Sequence, residues 1–385
     1  LLVNMKILFL DQSGKLGGAE LCLLEIAQPF QDRCLVGLLA DGPFRELLEK
    51  HQIPVQVLAD KAIPVQKGSN VFQGMGSFNA LITPVVLATQ LSNQFDLIYA
   101  NTQKALVIGA IASFFSRRPL VYHLHDILST EHFSPANLRI AVSLANRFAT
   151  AVIANSCATQ AAFIAAGGRQ ALTHVVYNGF DPGRYQNLAY RNPSLKPPLE
   201  LEQKFVIGHF SRLSPWKGQH ILLEALAQCP QSVVALFVGD ALFGETEYVT
   251  QLHQQVEALG LGDRVHFLGF RSDVPQLMSQ CHLIIHTSTA PEPFGRVIVE
   301  AMLCGVPVIA AAAGGAAELV EPGETGWLVP PGDAQKLAEL IHHCYAHPEQ
   351  SAAIAHQAQQ VASKRFHLSS TNQQIANILA LIDSK

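Results

Sequence analysis

Short apolar runs alternate with longer segments of helical periodicity along almost the whole chain. In the first half the runs predict strands at Met5–Leu10, Cys34–Leu39, Val55–Leu58, Asp96–Tyr99, Leu120–Leu124, Ala151–Ala154 and His174–Tyr177. In the second half they predict strands at Phe205–Phe210, Val233–Val238, Val265–Leu268, Leu283–His286 and Val308–Ala311. Several runs are continuously apolar, the pattern of parallel strands covered on both faces. Glu20–Gln28 and Ser156–Ala166 carry helical spacing between them. Strands alternating with helix-length crossovers predict an α/β chain built on parallel sheets.

The scheme breaks once. Asp181–Leu199 contains Pro182, Pro193, Pro197 and Pro198 with little apolar periodicity, the composition of a linker. The expected organisation is a doubly wound, Rossmann-like domain over residues 1–185, a linker over 186–204 and a second such domain over 205–365. A closing amphipathic helix over 366–385, with Ile375, Ile378, Leu379 and Ile382 on one face, is expected to return to the first domain. A chain of 385 residues suits two cores. Two doubly wound domains would face each other across a cleft lined by the carboxyl ends of their strands, where open α/β sheets bind ligands.

Composition narrows the function. Hydrophobic residues at 49% and charged residues at 15% exclude a disordered chain. Lys plus Arg at 26 against Asp plus Glu at 30 argues against a nucleic-acid binder. Residues 1–190 hold 14 basic and 12 acidic side chains, and the remainder hold 12 and 18. A solvated surface explains this mild split most simply; peripheral membrane contact through the N-terminal domain is the sharper alternative. The longest apolar stretch, Ala105–Phe115, is 11 residues, against roughly 20 needed to span a bilayer. No secretory signal is read, so a cytoplasmic site, peripheral at most to the inner face of the membrane, is expected. The seven cysteines form no Cys-x-x-Cys pair and are expected to be small buried hydrophobes in a reducing compartment.

Candidate chemistry lies at strand ends. The loop Asp11–Glu20 carries Gly14, Gly17 and Gly18, which let backbone amides approach a phosphate at a helix start, or simply form a tight turn. It lacks the spacing of a dinucleotide fingerprint, although Asp41 after the second strand would suit a nicotinamide reading. His123-Leu124-His125-Asp126 ends another strand; His125 reads as a substrate contact in preference to a metal ligand, and no metal is expected. His342, His343 and His347 read as surface residues. Arg212 and Lys217 sit on the first strand-to-helix loop of the second domain, where two cations can neutralise a diphosphate. Glu292 precedes a helix and Glu300 lies about two turns inside it, each able to accept hydrogen bonds from a diol. The amides of Phe294, Gly295 and Arg296 between them offer an anion site, the plainer alternative being a capped helix with two surface acids.

The order of these motifs resembles the retaining GT-B glycosyltransferases of family 4 (glycosyl transferase group 1). It runs from Gly17-Gly18-Ala19-Glu20 through His125-Asp126, Asn178-Gly179-Phe180-Asp181, Ser211-Arg212-Leu213 and Lys217-Gly218. It ends with Glu292-x7-Glu300, Gly314-Gly315-Ala316-Ala317-Glu318 and Gly326-Trp327-Leu328-Val329. The resemblance covers essentially the whole chain. It implies that Arg212 and Lys217 bind the diphosphate of a UDP- or GDP-linked sugar, Glu292 the sugar hydroxyls and Glu300 the ribose. His125 would line the sugar site, Gly17 and Gly18 would approach the phosphate and acceptor side, Phe294 and Gly295 would help hold the donor, and Arg271 would approach the base. Residues 61–78, with Gly68, Gly74 and Gly76, would border the acceptor, which would be a glycan, lipid-linked or small-molecule hydroxyl. No cofactor beyond the donor is implied. An NAD-dependent dehydrogenase, a non-catalytic sugar-nucleotide binder and a GT-B phosphorylase or epimerase are the competing readings.

Overall fold

The computed structural model describes residues 4–59, 75–131, 133–185, 203–242 and 244–383, without the side chains of 75–80. The first sheet comprises β1 (Ile7–Asp11), β2 (Cys34–Leu38), β3 (Val55–Val57), β4 (Leu97–Ala100), β5 (Leu120–Leu124), β6 (Ala149–Ala154) and β7 (Thr173–Val175). All pairs are parallel, in the order β3-β2-β1-β4-β5-β6-β7. The second sheet comprises β8 (Phe205–Phe210), β9 (Val233–Val238), β10 (Val265–Phe267), β11 (Leu283–His286), β12 (Val308–Ala311) and β13 (Trp327–Val329). It too is parallel, in the order β10-β9-β8-β11-β12-β13. The edge strand β13 is not among the expected strands: three apolar residues after a glycine give too little periodicity to announce it.

Successive side chains of a strand point to opposite faces, and the burial of β1 follows that rule. Ile7 and Phe9 join Val36, Tyr99, Val121 and Ile153 in one core, covered by the helix Gly18–Ala27. Leu8 and Leu10 join Ile98, Tyr122 and Val152 in the other, covered by the helices Gln103–Ser116 and Pro135–Phe148. Gln103–Ser116 contains the apolar stretch 105–115: it is a 14-residue helix laid on a sheet. Among the described residues no helix is long and apolar enough to cross a membrane.

The contacts divide the chain into residues 1–179 with 368–385, and residues 180–367. The last helix, Leu368–Asp383, buries Ile375, Ile378 and Leu379 in the core beneath β1 and β4 and donates from Thr371 Oγ1 to the Tyr177 carbonyl. The first division falls at Gly179, ahead of the expected 185, because Phe180 is an anchor of the second unit. It is fully buried, stacks on Phe294 at 6.3 Å, and its amide bonds the Phe366 carbonyl. Residues 186–202 of the expected linker lie outside the described residues. Of the cysteines, five are buried, Cys304 is half-buried and Cys157 is exposed at a helix start, so the expectation of uniformly buried thiols fails there.

Candidate functional site

In each sheet the strand order reverses at one point, between β1 and β4 in the first and between β8 and β11 in the second. The crossover helices diverge there, and the carboxyl edge of those two strands is left open to a ligand. The polar residues of the chain gather at both places.

In the first unit, Asp11 ends β1 and is fully buried. Its Oδ1 accepts from the Ser13 amide at 2.9 Å and its Oδ2 from Asn101 Nδ2 at 2.7 Å, Asn101 being the residue after β4. The Asn101 Oδ1 in turn lies 2.9 Å from His125 Nε2, just beyond β5. Glu20, in the first turn of the helix Gly18–Ala27, is buried over Gly17: a Cβ there would stand 2.6 Å from Glu20 Oε2. Burial, with the nearby Asp11 and Asp126 charges adding to it, pushes the Glu20 carboxyl up to about 8. Burial likewise raises Asp11 to about 6, against the hydrogen bonds from Asn101, Ser13 and Gln12. The Gly17–Gly18 loop is therefore backed by two carboxyls that resist being charged together.

His123 is buried, with Tyr99 Oη 2.9 Å from its Nδ1, and burial holds its pKa well below the ordinary value. Cys22, His123 and His125 bring ligand atoms within 4.8 Å of one another. Tetrahedral zinc, with bonds of about 2.0–2.3 Å, needs ligand atoms roughly 3.3–3.8 Å apart. The imidazoles pack with centroids 4.0 Å apart and their planes tilted by 37°, and His125 Nε2 is engaged by Asn101. These residues fit a packed histidine pair better than a metal centre. Asp41 is turned outward, accepting from Arg45 Nε at 2.6 Å and from the Gly42 amide, so it is not poised for a ribose.

In the second unit, Lys217 ends a short turn after β8 and reaches Glu292, in the loop after β11. Its Nζ donates to Glu292 Oε2 at 2.7 Å; Ser288 Oγ donates to the same oxygen at 2.8 Å, and His286 Nε2 lies 3.2 Å away. The three groups converge on Oε2, leaving Oε1 without a bond from the described residues. Burial alone would push the Glu292 carboxyl up, but the Lys217 ammonium and His286 reverse this and hold it well below the usual carboxylate range. Burial pulls Lys217 down, and Glu292 partly restores it. The ammonium also stands over Trp216, 4.0 Å from the ring centroid, with the Arg212 guanidinium 5.6 Å away on that ring. Two cations and an ionised carboxylate are thus gathered at the switch point of the second sheet.

The backbone there is held by glycines. Gly218 has φ +71°, and a Cβ would run into the Thr287 carbonyl; Thr287 Oγ1 bonds the carbonyls of Lys217 and Gly218 at 2.9 Å each. Gly314 has φ +62° and packs against the Glu292 backbone, with Gly315 donating to the Glu292 carbonyl at 2.7 Å.

The helix Arg296–Leu303 starts at Gly295, φ +98°, which directs its first-turn amides to the same edge. Phe294 is 2% exposed and packs on Phe180 and Phe366, so its side chain belongs to the core and only its backbone can face a ligand. Glu300 is half-buried, 3.5 Å from Arg296 Nε. Arg271 makes a forked pair with Asp273 at 2.8 and 2.7 Å on the far side of β9, away from the Lys217 cluster. His342 and His347 are exposed and His343 half-buried. Of the expected acceptor border 61–78, residues 61–74 lie outside the described residues. Sequence reasoning assigned no role to Asp11, Asn101, His286 or Ser288; the available signal was their place at or just after the ends of the central strands β1, β4 and β11.

Residues 192–361 match the family described as "Glycosyl transferases group 1", and residues 16–184 match "Glycosyltransferase Family 4". The crystal structure of HepE from Anabaena in complex with UDP-glucose is 60% identical, covering 98% of this chain and 100% of that one with a TM-score of 0.89. This chain belongs to the group 1, family 4 glycosyltransferases. The sucrose-phosphate synthase of Thermosynechococcus elongatus, 20% identical over 99% of this chain and 100% of that one with a TM-score of 0.84, shares the fold. The two sheets are the two Rossmann-like halves of the GT-B architecture. The spore coat protein SA of Bacillus subtilis is 31% identical over 210 residues, 50% of this glycosyltransferase and 55% of that protein. The chain spans about half the length of such curated relatives.

Proposed function

We propose that this glycosyltransferase transfers a hexosyl group from a UDP-sugar to an acceptor hydroxyl during glycan, polysaccharide or glycolipid synthesis, with retention at the anomeric carbon. The observation that carries the reading is the Lys217–Glu292 pair, buried beside Arg212 at the switch point of the second sheet. UDP is favoured over GDP by the likeness to HepE, which binds UDP-glucose and, in another crystal, UDP and glucose.

Breaking the sugar–phosphate bond places positive charge on the sugar and negative charge on the leaving diphosphate. Lys217 keeps two N–H groups beyond the one given to Glu292, and with Arg212 it would meet that developing charge, an interaction stronger in the transition state than in the ground state. Ionised Glu292 would hold sugar hydroxyls through Oε1 while Oε2 stays locked, and Glu300 would hold the ribose. The amides of Phe294 and Gly295, just ahead of the helix Arg296–Leu303, would complete the phosphate site, and Arg271 would reach the base only by leaving Asp273. His125, oriented by Asn101, would contact the sugar, and Gly17 and Gly18 would admit the phosphate and acceptor side. Attack on the face the diphosphate leaves, with a phosphate oxygen taking the acceptor proton, gives retention without a protein base. In this reading the acceptor is a glycan, lipid-linked or small-molecule hydroxyl, and the N-terminal unit attaches peripherally to the inner face of a membrane.

The test is a thermal-shift series with UDP, GDP, ADP and NAD, followed by product analysis. At about 100 times its dissociation constant a ligand adds roughly 2.7 kcal/mol of stability. UDP alone should stabilise the protein, and the anomeric proton coupling of the product should match that of the donor. Stabilisation by NAD alone would overturn the transferase reading, and an inverted product would overturn retention.

A further inference from the structure

We propose that His209 is a positioning residue for the donor's diphosphate: through the Thr287 hydroxyl it holds the carbonyls of Lys217 and Gly218 inside the second unit and so sets the turn from which Lys217 acts. The proposal rests on the reading of Lys217 as a diphosphate contact.

β8 reads Phe-Val-Ile-Gly-His-Phe, and its one polar side chain, His209, is 2% exposed. Alternation puts His209 on the face of Ile207, which shares a core with Leu222 and Leu226 of the helix Gln219–Ala227. Across the ladder it stands opposite Phe237 of β9, the rings 5.6 Å apart. A leucine would fill this place with no buried polar group to satisfy. What the imidazole adds is hydrogen bonding, and its partners belong to the backing of the loop that carries Arg212 and Lys217.

The direction of the main bond is fixed by its partners. His209 Nε2 lies 2.9 Å from Thr287 Oγ1, and that oxygen lies 2.9 Å from each of the carbonyl oxygens of Lys217 and Gly218. Carbonyls only accept, so the one hydroxyl proton of Thr287 goes to them and the hydroxyl oxygen accepts from His209. The ring proton is therefore on Nε2, and Nδ1 carries the lone pair, 3.4 Å from Ser211 Oγ. Burial, with His286 and Lys217 adding to it, pulls the ring's pKa down to about 3, so at neutral pH His209 is a neutral donor.

The other end of the loop is held in the same way. Gln219, fully buried, donates from Nε2 to the Arg212 carbonyl and to Ser211 Oγ at 2.9 Å each. The carbonyls of Arg212, Lys217 and Gly218 are thus drawn inward onto buried side chains. A carbonyl oxygen turned toward a diphosphate would repel it, so a loop that binds one needs these acceptors occupied elsewhere. Without the N–H of His209, the Thr287 hydroxyl oxygen, on a residue 3% exposed, loses its donor, and the turn loses the bond that aligns it.

The experiment titrates UDP into the full chain by calorimetry for wild type, His209→Leu and His209→Gln, with the Tm of each measured alongside. Leucine fills the site without a donor, and glutamine places an amide N–H close to the position of Nε2. His209→Leu should weaken UDP about tenfold, and His209→Gln should stay within about threefold of wild type. With Lys217→Met and Glu292→Gln already in place, His209→Leu should change UDP affinity less than about twofold, because the side chain it aligns is gone. Should His209→Leu not fold, Thr287→Val makes the same comparison, with Thr287→Ser as the variant that keeps the hydroxyl. Nitrogen NMR of the wild-type ring should find the His209 proton on Nε2. A proton on Nδ1, UDP affinity unchanged in His209→Leu, or an equal loss in both backgrounds overturns the role of His209. An equal loss in His209→Leu and His209→Gln assigns the effect to the shape of the ring and overturns it too. Absence of UDP binding by wild type overturns the donor reading itself, and the proposal with it.

Discussion

The two carboxyls behind the Gly17–Gly18 loop give a prediction that can be worked through in magnitude. Glu20 ordinarily titrates near 4.5 and in this fold near 8. Between those values the unfolded chain has lost a proton that the folded chain retains, so stability falls as pH rises across the window and the loss is complete above pH 8. A shift of 3.5 pH units at about 1.4 kcal/mol each sets an upper bound near 5 kcal/mol. Part of that is repulsion from the Asp11 and Asp126 charges, which depends on their own ionisation, and discounting it leaves about 2–4 kcal/mol for the burial of Glu20 itself. Glu20→Gln cannot ionise and should remove this pH-dependent penalty. It also alters the hydrogen bond with Ser13, which adds an offset of either sign that does not vary with pH. Scanning calorimetry at pH 5, 6.5, 7.5 and 8.5 measures the difference in Tm between variant and wild type. That difference should grow in the variant's favour by roughly 5–10 °C between pH 5 and 8.5, at about 2–4 °C per kcal/mol for a unit of this size. A difference that stays flat across the range would show that Glu20 ionises freely in the fold and would refute the reasoning.

Lys217→Ala and Glu292→Ala should each lower turnover about 100-fold and, by stranding a buried charge, cost about 3–5 kcal/mol of stability. Joint Lys217→Met and Glu292→Gln should recover most of the stability and none of the turnover; UDP release and calorimetry separate the two effects, and wild-type turnover in either single variant would refute the assigned roles. Gly218→Ala forces a side chain into left-handed backbone against the Thr287 carbonyl and should destabilise the second unit by about 3 kcal/mol or more, visible in the fluorescence of Trp216 and Trp327 on urea unfolding.

The hydrophobic pattern by itself determined the α/β class and twelve of the thirteen described strands, because a buried parallel strand must be apolar on both faces wherever it sits. It also exposed Lys217 and Glu292, since loops after strands β8 and β11 carry polar residues that no core requires. It could not show that these two residues pair, because they are 75 positions apart and meet only once β8 lies beside β11. Asp11 and Asn101 are likewise 90 positions apart and mean little until β1 and β4 are neighbours at the switch point. Burial also reassigned Phe294 to the core and placed Phe180 in the second unit, because neighbours in space, and not periodicity along the chain, decide how much water a side chain keeps. Strand identity is local and was legible; strand order is not, and the charges of Glu20 and Glu292 follow from it.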